Sequence, residues 1–352
     1  TFAYDALVSA PAKRRQAALM EAVYSAEAGR ALEWATGLDR VDLLSGGGPG
    51  GSGFMLPGGG AALGLGERRE CLSDLDLRVA YRDRLLLPHA GCVPGIGAPE
   101  VSVPATQCNH LYGGDNDSAG QTCGQPLDPR GVHAVTCNVG GGLDAGHDAT
   151  RDWLKRTLER WTGQTILTEQ RVPQWDRIRR VRGEPAMVQE RTPDGQLLFA
   201  ADGSRKMVPD WERARLDVSF MDADGRLTHV DVSFASAATI QVDEIRLRGD
   251  PARAGRAASQ REDDKRRRYK PADNPSEPLV VFAVESRGRL GAGAVQLLRS
   301  LAPTDETRGA ELSRAYRELS VITQRRRAHL LRAAEGGRLG LEARGARFAG
   351  RR

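Results

Sequence analysis

Apolar and polar residues alternate most regularly in two neighbouring stretches, 215–220 and 227–234. In the first, Leu216, Val218 and Phe220 alternate with Asp217 and Ser219; in the second, Val230, Val232 and Phe234 alternate with His229, Asp231 and Ser233. A period of two predicts half-buried strands. The intervening residues suit a hairpin with the three-residue loop Ala223-Asp224-Gly225, Gly225 taking the left-handed position of a bulge turn. That register sets Leu216 against Val232 and Val218 against Val230, so the apolar faces coincide. It also sets Asp217 directly opposite Asp231.

Helical periodicity brackets this hairpin. Residues 148–161 put Trp153, Leu154, Leu158 and Trp161 on one side, and residues 165–172, which contain Glu169, read as a strand. Residues 174–213 are charged and turn-rich, as in an insertion. After the hairpin come a basic helix (251–270), an apolar strand (279–284) and a helix (291–302). Upstream, 1–44 reads as a helical segment, with Leu19, Met20, Val23, Tyr24 and Leu32 on one stripe, and 45–91 as a Gly/Pro-rich linker plus a short helix capped by Ser73 and Asp76. Cysteine and histidine concentrate in 92–147. The expected organisation is therefore α/β (α+β), with a main unit over 148–302 and an Arg-rich helical or disordered tail over 303–352.

Composition narrows the function classes. The 352 residues are 40% hydrophobic and 28% charged, which excludes a wholly disordered chain. A net charge of +5 is too small to demonstrate a polyanionic partner. No apolar run is long enough for a membrane span, and the first residues have no secretory pattern. Without an initiating Met, the chain reads as part of a longer protein. Five cysteines, an odd number all within the first 137 residues, argue against a disulfide framework and for an intracellular metal site. Of 51 basic residues only five are lysines, and the arginine excess reads as GC-rich coding. A lysine retained on that background is a candidate for chemistry that arginine, with its pKa above about 12, performs badly.

Two constellations carry candidate chemistry. Like charges directly opposed across a ladder are destabilising. A hard divalent cation between Asp217 and Asp231 would compensate them; the plain alternative is a solvent-facing pair. On the basic helix, Ala254, Ala258, Arg261, Lys265 and Tyr269 follow helical spacing, so small residues share a side with Lys265. The second constellation is Cys123, His133 and Cys137, with Cys108, Cys92 or His110 as the fourth member of a tetrahedral zinc site. Cys71 reads as core.

Taken in order, these features resemble the C-terminal part of polyproteins from non-LTR retrotransposons that carry a restriction-like endonuclease. The features are a Cys…Cys-Gly…Gly-x-His-Ala…Cys knuckle, Gly-Gly…His-Asp-x-x-Arg-Asp-Trp-Leu at 141–154, a Glu, Arg-x-Asp, Asp-Val-Ser and Lys-x3-Tyr. The likeness covers about residues 70–302 and rests on the order of individually weak motifs. It implies a CCHC zinc knuckle before a PD-(D/E)XK-type nuclease with a mixed sheet flanked by helices. Asp217 and Asp231 would hold Mg²⁺, Lys265 with Tyr269 would match the lysine/tyrosine helix motif, and Glu169 the acid that precedes the first Asp. Cys108, Cys123, His133 and Cys137 would hold structural Zn²⁺. Arg261, Arg266, Arg267, Arg268 and Lys270 would contact phosphates.

Two departures stand out: Leu216 replaces the family's Pro, and the first knuckle spacing is expanded. The implied activity is nicking of target DNA for target-primed reverse transcription, beside a linked polymerase and the element RNA, in the nucleus. Phe199-Ala-Ala-Asp202 lacks the consecutive aspartates of a polymerase site, so this chain alone is not expected to reverse transcribe. The competing expectation is a catalytically inactive, zinc-dependent nucleic-acid-binding remnant.

Overall fold

A computed structural model describes residues 107–112, 120–128 and, with short gaps, 130–334, besides Leu72, Asp76, Val79 and Ala80. The expected helical segment over 1–44, the Gly-rich linker, Cys71 and Cys92 lie outside the described residues. Nine elements frame the site: α1 (Val132–Thr136), α2 (Gly142–Thr162), β1 (Leu167–Arg171), β2 (Arg215–Met221), β3 (Leu227–Ala235), α3 (Arg256–Tyr269), β4 (Leu279–Glu285), α4 (Ala292–Leu301) and α5 (Arg308–Ala334).

The four strands form one mixed sheet in the order β1-β2-β3-β4, antiparallel except where β4 runs parallel to β3. A parallel neighbour needs a crossover, and α3 supplies it. Its alanines let it lie close: Ala258 is buried against Val281 and Ala283. On the opposite face α2, α4 and α5 cover Val218, Phe220, Val230, Val232, Phe282 and Val284 with Trp153, Leu154, Leu158, Leu297, Leu298, Ala315 and Leu319. Phe282 and Val284 are fully buried even though β4 is the edge strand, because helices pack on both of its faces.

The hairpin turn follows its expected geometry. Asp222 and Gly225 close the loop by backbone bonds, Gly225 has φ 73°, and the Asp222 carboxylate accepts the Asp224 and Arg226 N–H groups, each at 2.9 Å. Val218 pairs with Val230 as the alternation requires. The expected pairing beyond it is corrected, because both ladders skip Asp217. The β1–β2 register passes from Thr168–Val218 to Gln170–Leu216, and the β2–β3 register starts at Val218–Val230. Glu169, the residue facing the gap, has φ 53°. Leu216, beyond the gap, is buried with Val172, Trp175 and Tyr269 instead of joining the cluster behind Val218.

Two helix starts lack a capping side chain of their own, and buried glutamates from elsewhere serve them. Glu285 accepts the Ala258 N–H of α3 at 3.2 Å, and Glu262 accepts the Gly293 N–H of α4 at 3.0 Å. Negative charge at these positive helix ends explains how both carboxylates tolerate burial.

The Arg-rich segment expected as a tail is, over Arg308–Ala334, a single helix with Ala315 and Leu319 in the main core and Leu330, Leu331 and Ala334 against the cysteine cluster. It crosses α2 at two glycines one turn apart. A Cβ on Gly142 would strike Leu330, and one on Gly146 would overlap the Arg326 side chain, whose guanidinium lies 4.1 Å from the Phe234 ring centre. An exposed helical Gly→Ala change stabilises by about 1 kcal/mol. Gly146→Ala is expected to do the opposite, because the buried, stacked Arg326 has nowhere to move, and overpacking costs about 1–3 kcal/mol. Urea unfolding should show a lower midpoint; a raised midpoint contradicts this contact.

Candidate functional site

Asp231 lies in β3, paired through the ladder to Val281 of β4, and its residue is 3% exposed. The Lys265 ammonium reaches down from α3 to donate to Asp231 Oδ1 at 2.8 Å, and the Tyr269 hydroxyl, one turn later, donates to the same oxygen at 3.3 Å. Asp231 Oδ2 is buried without a hydrogen-bond partner. Desolvation pushes the Asp231 carboxyl up from the ordinary carboxylate range, Lys265 pulls it back down, and the nearby Asp217 charge raises it again. Burial likewise pushes up the Tyr269 hydroxyl, which therefore remains a donor. Arg261, one turn before Lys265, donates to Ser233 Oγ at 2.8 Å. The helix face expected from the spacing is the face that meets β3.

Asp217 enters from the ladder gap. Its Oδ2 accepts the Val232 N–H at 2.7 Å, taking over a bond that a regular ladder would give to a backbone carbonyl. His147, near the start of α2, sits 3.2 Å from the same oxygen and 3.1 Å from the Val232 carbonyl. Contact with Asp217 raises the His147 pKa above its ordinary value, against the opposing pull of burial. His147 is a neighbour of Asp217 that residue pattern alone does not single out. Its signal was the His-Asp-x-x-Arg spacing, which places His147 and Arg151 one helical turn apart toward this end of the sheet.

Glu169 does not join the two aspartates. Its carboxylate is held by Arg151 at 2.5 Å and by Arg215 at 3.5 Å, and among the described residues no hydrogen bond or ion pair links it to Asp217 or Asp231. The arginines expected on phosphates differ in setting. Arg266 is paired with Glu262 and Asp263, Arg267 with Asp264, and Arg268 with Glu212 while it also lies over the Tyr269 ring. Lys270 ends α3 in the left-handed region with φ 45° and is exposed.

Another polar chain lies beside the site. Ser219 Oγ is 2.7 Å from His229 Nδ1, and His229 Nε2 is 3.4 Å from Glu277. Ser219 is fully buried, so this chain orders the sheet interior and offers no nucleophile to solvent.

Among the described residues, Cys108 stands as the fourth member of the cysteine cluster. Cys108 and Cys123 sit on facing segments bridged at Gln107–Pro126 and Leu111–Thr122, so the long spacing between them is the length of a hairpin. Helix α1 brings His133 and Cys137, and Asp128 caps it by accepting the Val132 and His133 N–H groups at 3.0 and 2.8 Å. The four ligand atoms of Cys108, Cys123, His133 and Cys137 all lie within 4.8 Å of one another, a group that could hold a metal ion such as zinc. The Cys108 and Cys137 sulfurs are 3.9 Å apart; zinc–sulfur bonds of about 2.3 Å in a tetrahedron require roughly 3.8 Å. The hydrogen bond they share pushes the Cys108 thiol up and holds the Cys137 thiol down. His110 stands outside the group: its Nε2 donates to the Leu330 carbonyl at 3.0 Å.

No known protein family and no curated protein matches the chain. No helix among the described residues is long and apolar enough to cross a membrane.

Cobalt titration provides the check on the ligand set. One equivalent per chain is expected, with absorption bands typical of a tetrahedral sulfur-rich site. Cys108→Ser should weaken binding strongly, whereas Cys92→Ser and His110→Gln should leave the spectrum unchanged. A spectrum lost in Cys92→Ser and retained in Cys108→Ser would reverse the assignment.

Proposed function

We propose that the chain is a Mg²⁺-dependent DNA endonuclease of restriction-like type, with a zinc knuckle packed at its side. The observation that carries this reading is the buried Asp231: one oxygen held by Lys265, the other without a partner, and a second carboxylate, Asp217, delivered to the same place by a break in the sheet. Magnesium is commonly held by only one or two protein carboxylates plus substrate phosphate oxygens, so two aspartates suffice. The unpartnered Oδ2 and the Asp217 carboxylate would hold the ion. When bound, it supplies Lewis-acid polarisation of the phosphoryl group and neutralises charge there.

The chain's own residues do the remaining work. Lys265 keeps an ammonium beside the carboxylates, where it orients an attacking water and offsets charge that builds on phosphorus. Tyr269 fixes the Asp231 rotamer from the same side. His147 and the Val232 N–H fix Asp217, so neither acid has to reorganise when substrate arrives. The order of motifs that resembles the retrotransposon nucleases supports, as the product, a nick whose 3′-OH would prime reverse transcription by a linked polymerase. Element RNA and target DNA would be the partners, and the nucleus the place of action.

One observation favours the second reading, an inactive nucleic-acid-binding remnant: Glu169 is held by two arginines instead of completing the acidic group. Incubation of the chain with supercoiled plasmid and Mg²⁺ separates the readings. Nicking should fall roughly a hundred- to a thousandfold in Asp217→Ala and Asp231→Ala, the scale of losing one preorganised charge-stabilising group. Lys265→Arg should fall nearly as far, and Glu169→Gln only a few-fold. Nicking that persists in both aspartate variants sinks the assignment, and binding without cleavage under Mg²⁺ or Mn²⁺ selects the remnant.

A further inference from the structure

The insertion between β1 and β2 folds back on itself. Arg177–Ile178 pairs with Trp211–Glu212 at its base, and Met187–Gln189 pairs with Met207–Pro209 farther out. Its base faces the end of α3. Between them runs a groove of about 1380 Å³, whose walls include Arg177, Arg179 and Arg180 of the insertion and Arg267, Arg268 and Lys270 of the helix. Four carboxylates share this lining with six cationic side chains, and Glu212 alone occupies two of the arginines. The excess is positive. Trp211, on the insertion side, is 55% exposed. Tyr269 also lines the groove, and its hydroxyl is the donor to Asp231, so one buried ring lies between the groove and the carboxylate site.

We infer that this groove holds a single-stranded segment of nucleic acid, with Trp211 as the surface on which one unpaired base stacks. The inference rests on the nuclease reading for its purpose but on the groove's own chemistry for its ligand. An exposed indole between guanidinium groups offers a π-face for a base and charges for the flanking phosphates. A base inside a duplex has no free face for Trp211, so an indole in this setting favours unpaired strand. The Arg268–Glu212–Arg177 chain braces two of the cations, while Arg267, paired with Asp264, and the exposed Lys270 line the groove at the end of α3. A strand in this groove would pass beside the scissile position at Asp231, so the insertion would select locally melted or branched DNA.

Binding is measured by fluorescence anisotropy in the full chain carrying Asp217→Asn, so that cleavage does not interfere. The probes are labelled oligo-dT and oligo-U of roughly twelve nucleotides, and a blunt duplex of equal length. Single strands should bind more tightly than duplex. Trp211→Ala should weaken single-strand binding roughly tenfold, the scale of one lost base stack, and Trp211→Phe should restore most of it. Phe199→Ala, an equally exposed aromatic farther along the insertion, should change nothing. Lys270→Gln should lower the salt slope by about 0.7. Tighter binding of dT or of U identifies which strand is preferred, and either supports the groove. Equal binding by Trp211→Ala and its parent, or preference for duplex, overturns it. The two ideas fail separately: intact Trp211-dependent binding with no nicking by the unsubstituted chain removes the nuclease reading alone. Nicking with Trp211-independent binding removes the groove alone.

Discussion

A carboxylate in an inner strand, covered by a helix above and by neighbouring strands at its sides, is costly to keep charged. Asp231 is in that situation, and much of the surrounding architecture is compensation for it. Burial would drive the group neutral, and Lys265 counters that. For Lys265 to reach Oδ1 at 2.8 Å, α3 must lie close on the sheet, which its buried alanines permit. Close docking in turn requires the start of α3 to be satisfied without a bulky cap, and the Glu285 carboxylate does this from the end of β4. The helix, its cap and its small residues are therefore consequences of one charge pair. Removing Lys265 alone leaves a buried charge, so its loss affects stability as well as chemistry.

The interruption at Asp217 is the second constraint. A regular ladder would have pointed the two aspartates at each other across a strand pair and left both to repel. Here the ladders skip Asp217, its carboxylate takes the Val232 N–H, and His147 approaches the same oxygen. One side-chain oxygen thus stands in for a backbone acceptor. The like-charge penalty is lowered because a donor and an imidazole share one of the carboxylates. The strain appears across the strand at Glu169, a non-glycine residue in the left-handed region. Residues held in such conformations concentrate at functional sites, and Lys270, the other such residue among those described, lines the neighbouring groove.

How much of this was legible in the sequence depends on whether the information was local. The hairpin, its turn and the Val218–Val230 register follow from alternation and Gly225, and the structure has them. The side of α3 that carries Arg261, Lys265 and Tyr269 follows from helical spacing and is the side that meets β3. The break at Asp217 did not follow, because period-two reasoning assumes a continuous ladder, and what interrupts this one is a side chain accepting a backbone N–H. Glu169 was assigned by order along the chain, and sequence order does not show that Arg151 and Arg215 hold its carboxylate. Arg308–Ala334 read as a tail because arginines dominate it. Its place in the core depends on Gly142 and Gly146 in a distant helix, which no pattern within 308–334 reveals.

The same helix ties the cysteine cluster to the sheet. Two carbonyls near the described end of α5 meet the cluster. The Asn109 N–H donates to the Ala334 carbonyl at 2.9 Å, and His110 donates to Leu330 at 3.0 Å. Leu330 and Leu331 pack on Cys108 and Cys137, while Ala315 and Leu319, several turns earlier, pack on the strands beneath Asp217 and Asp231. A metal ion in the cluster would fix the segment carrying Asn109 and His110 and, through it, the end of α5. Its contribution would then reach beyond a few loop residues to the register of α5 against α2, and α2 carries His147. Chelation should accordingly loosen the Asp217 side of the sheet before it loosens the Asp231 side, which α3 holds independently. Hydrogen exchange on the metal-free chain should show that order, with protection lost in α1, the C-terminal half of α5 and the first turns of α2, and retained in β3, β4 and α3.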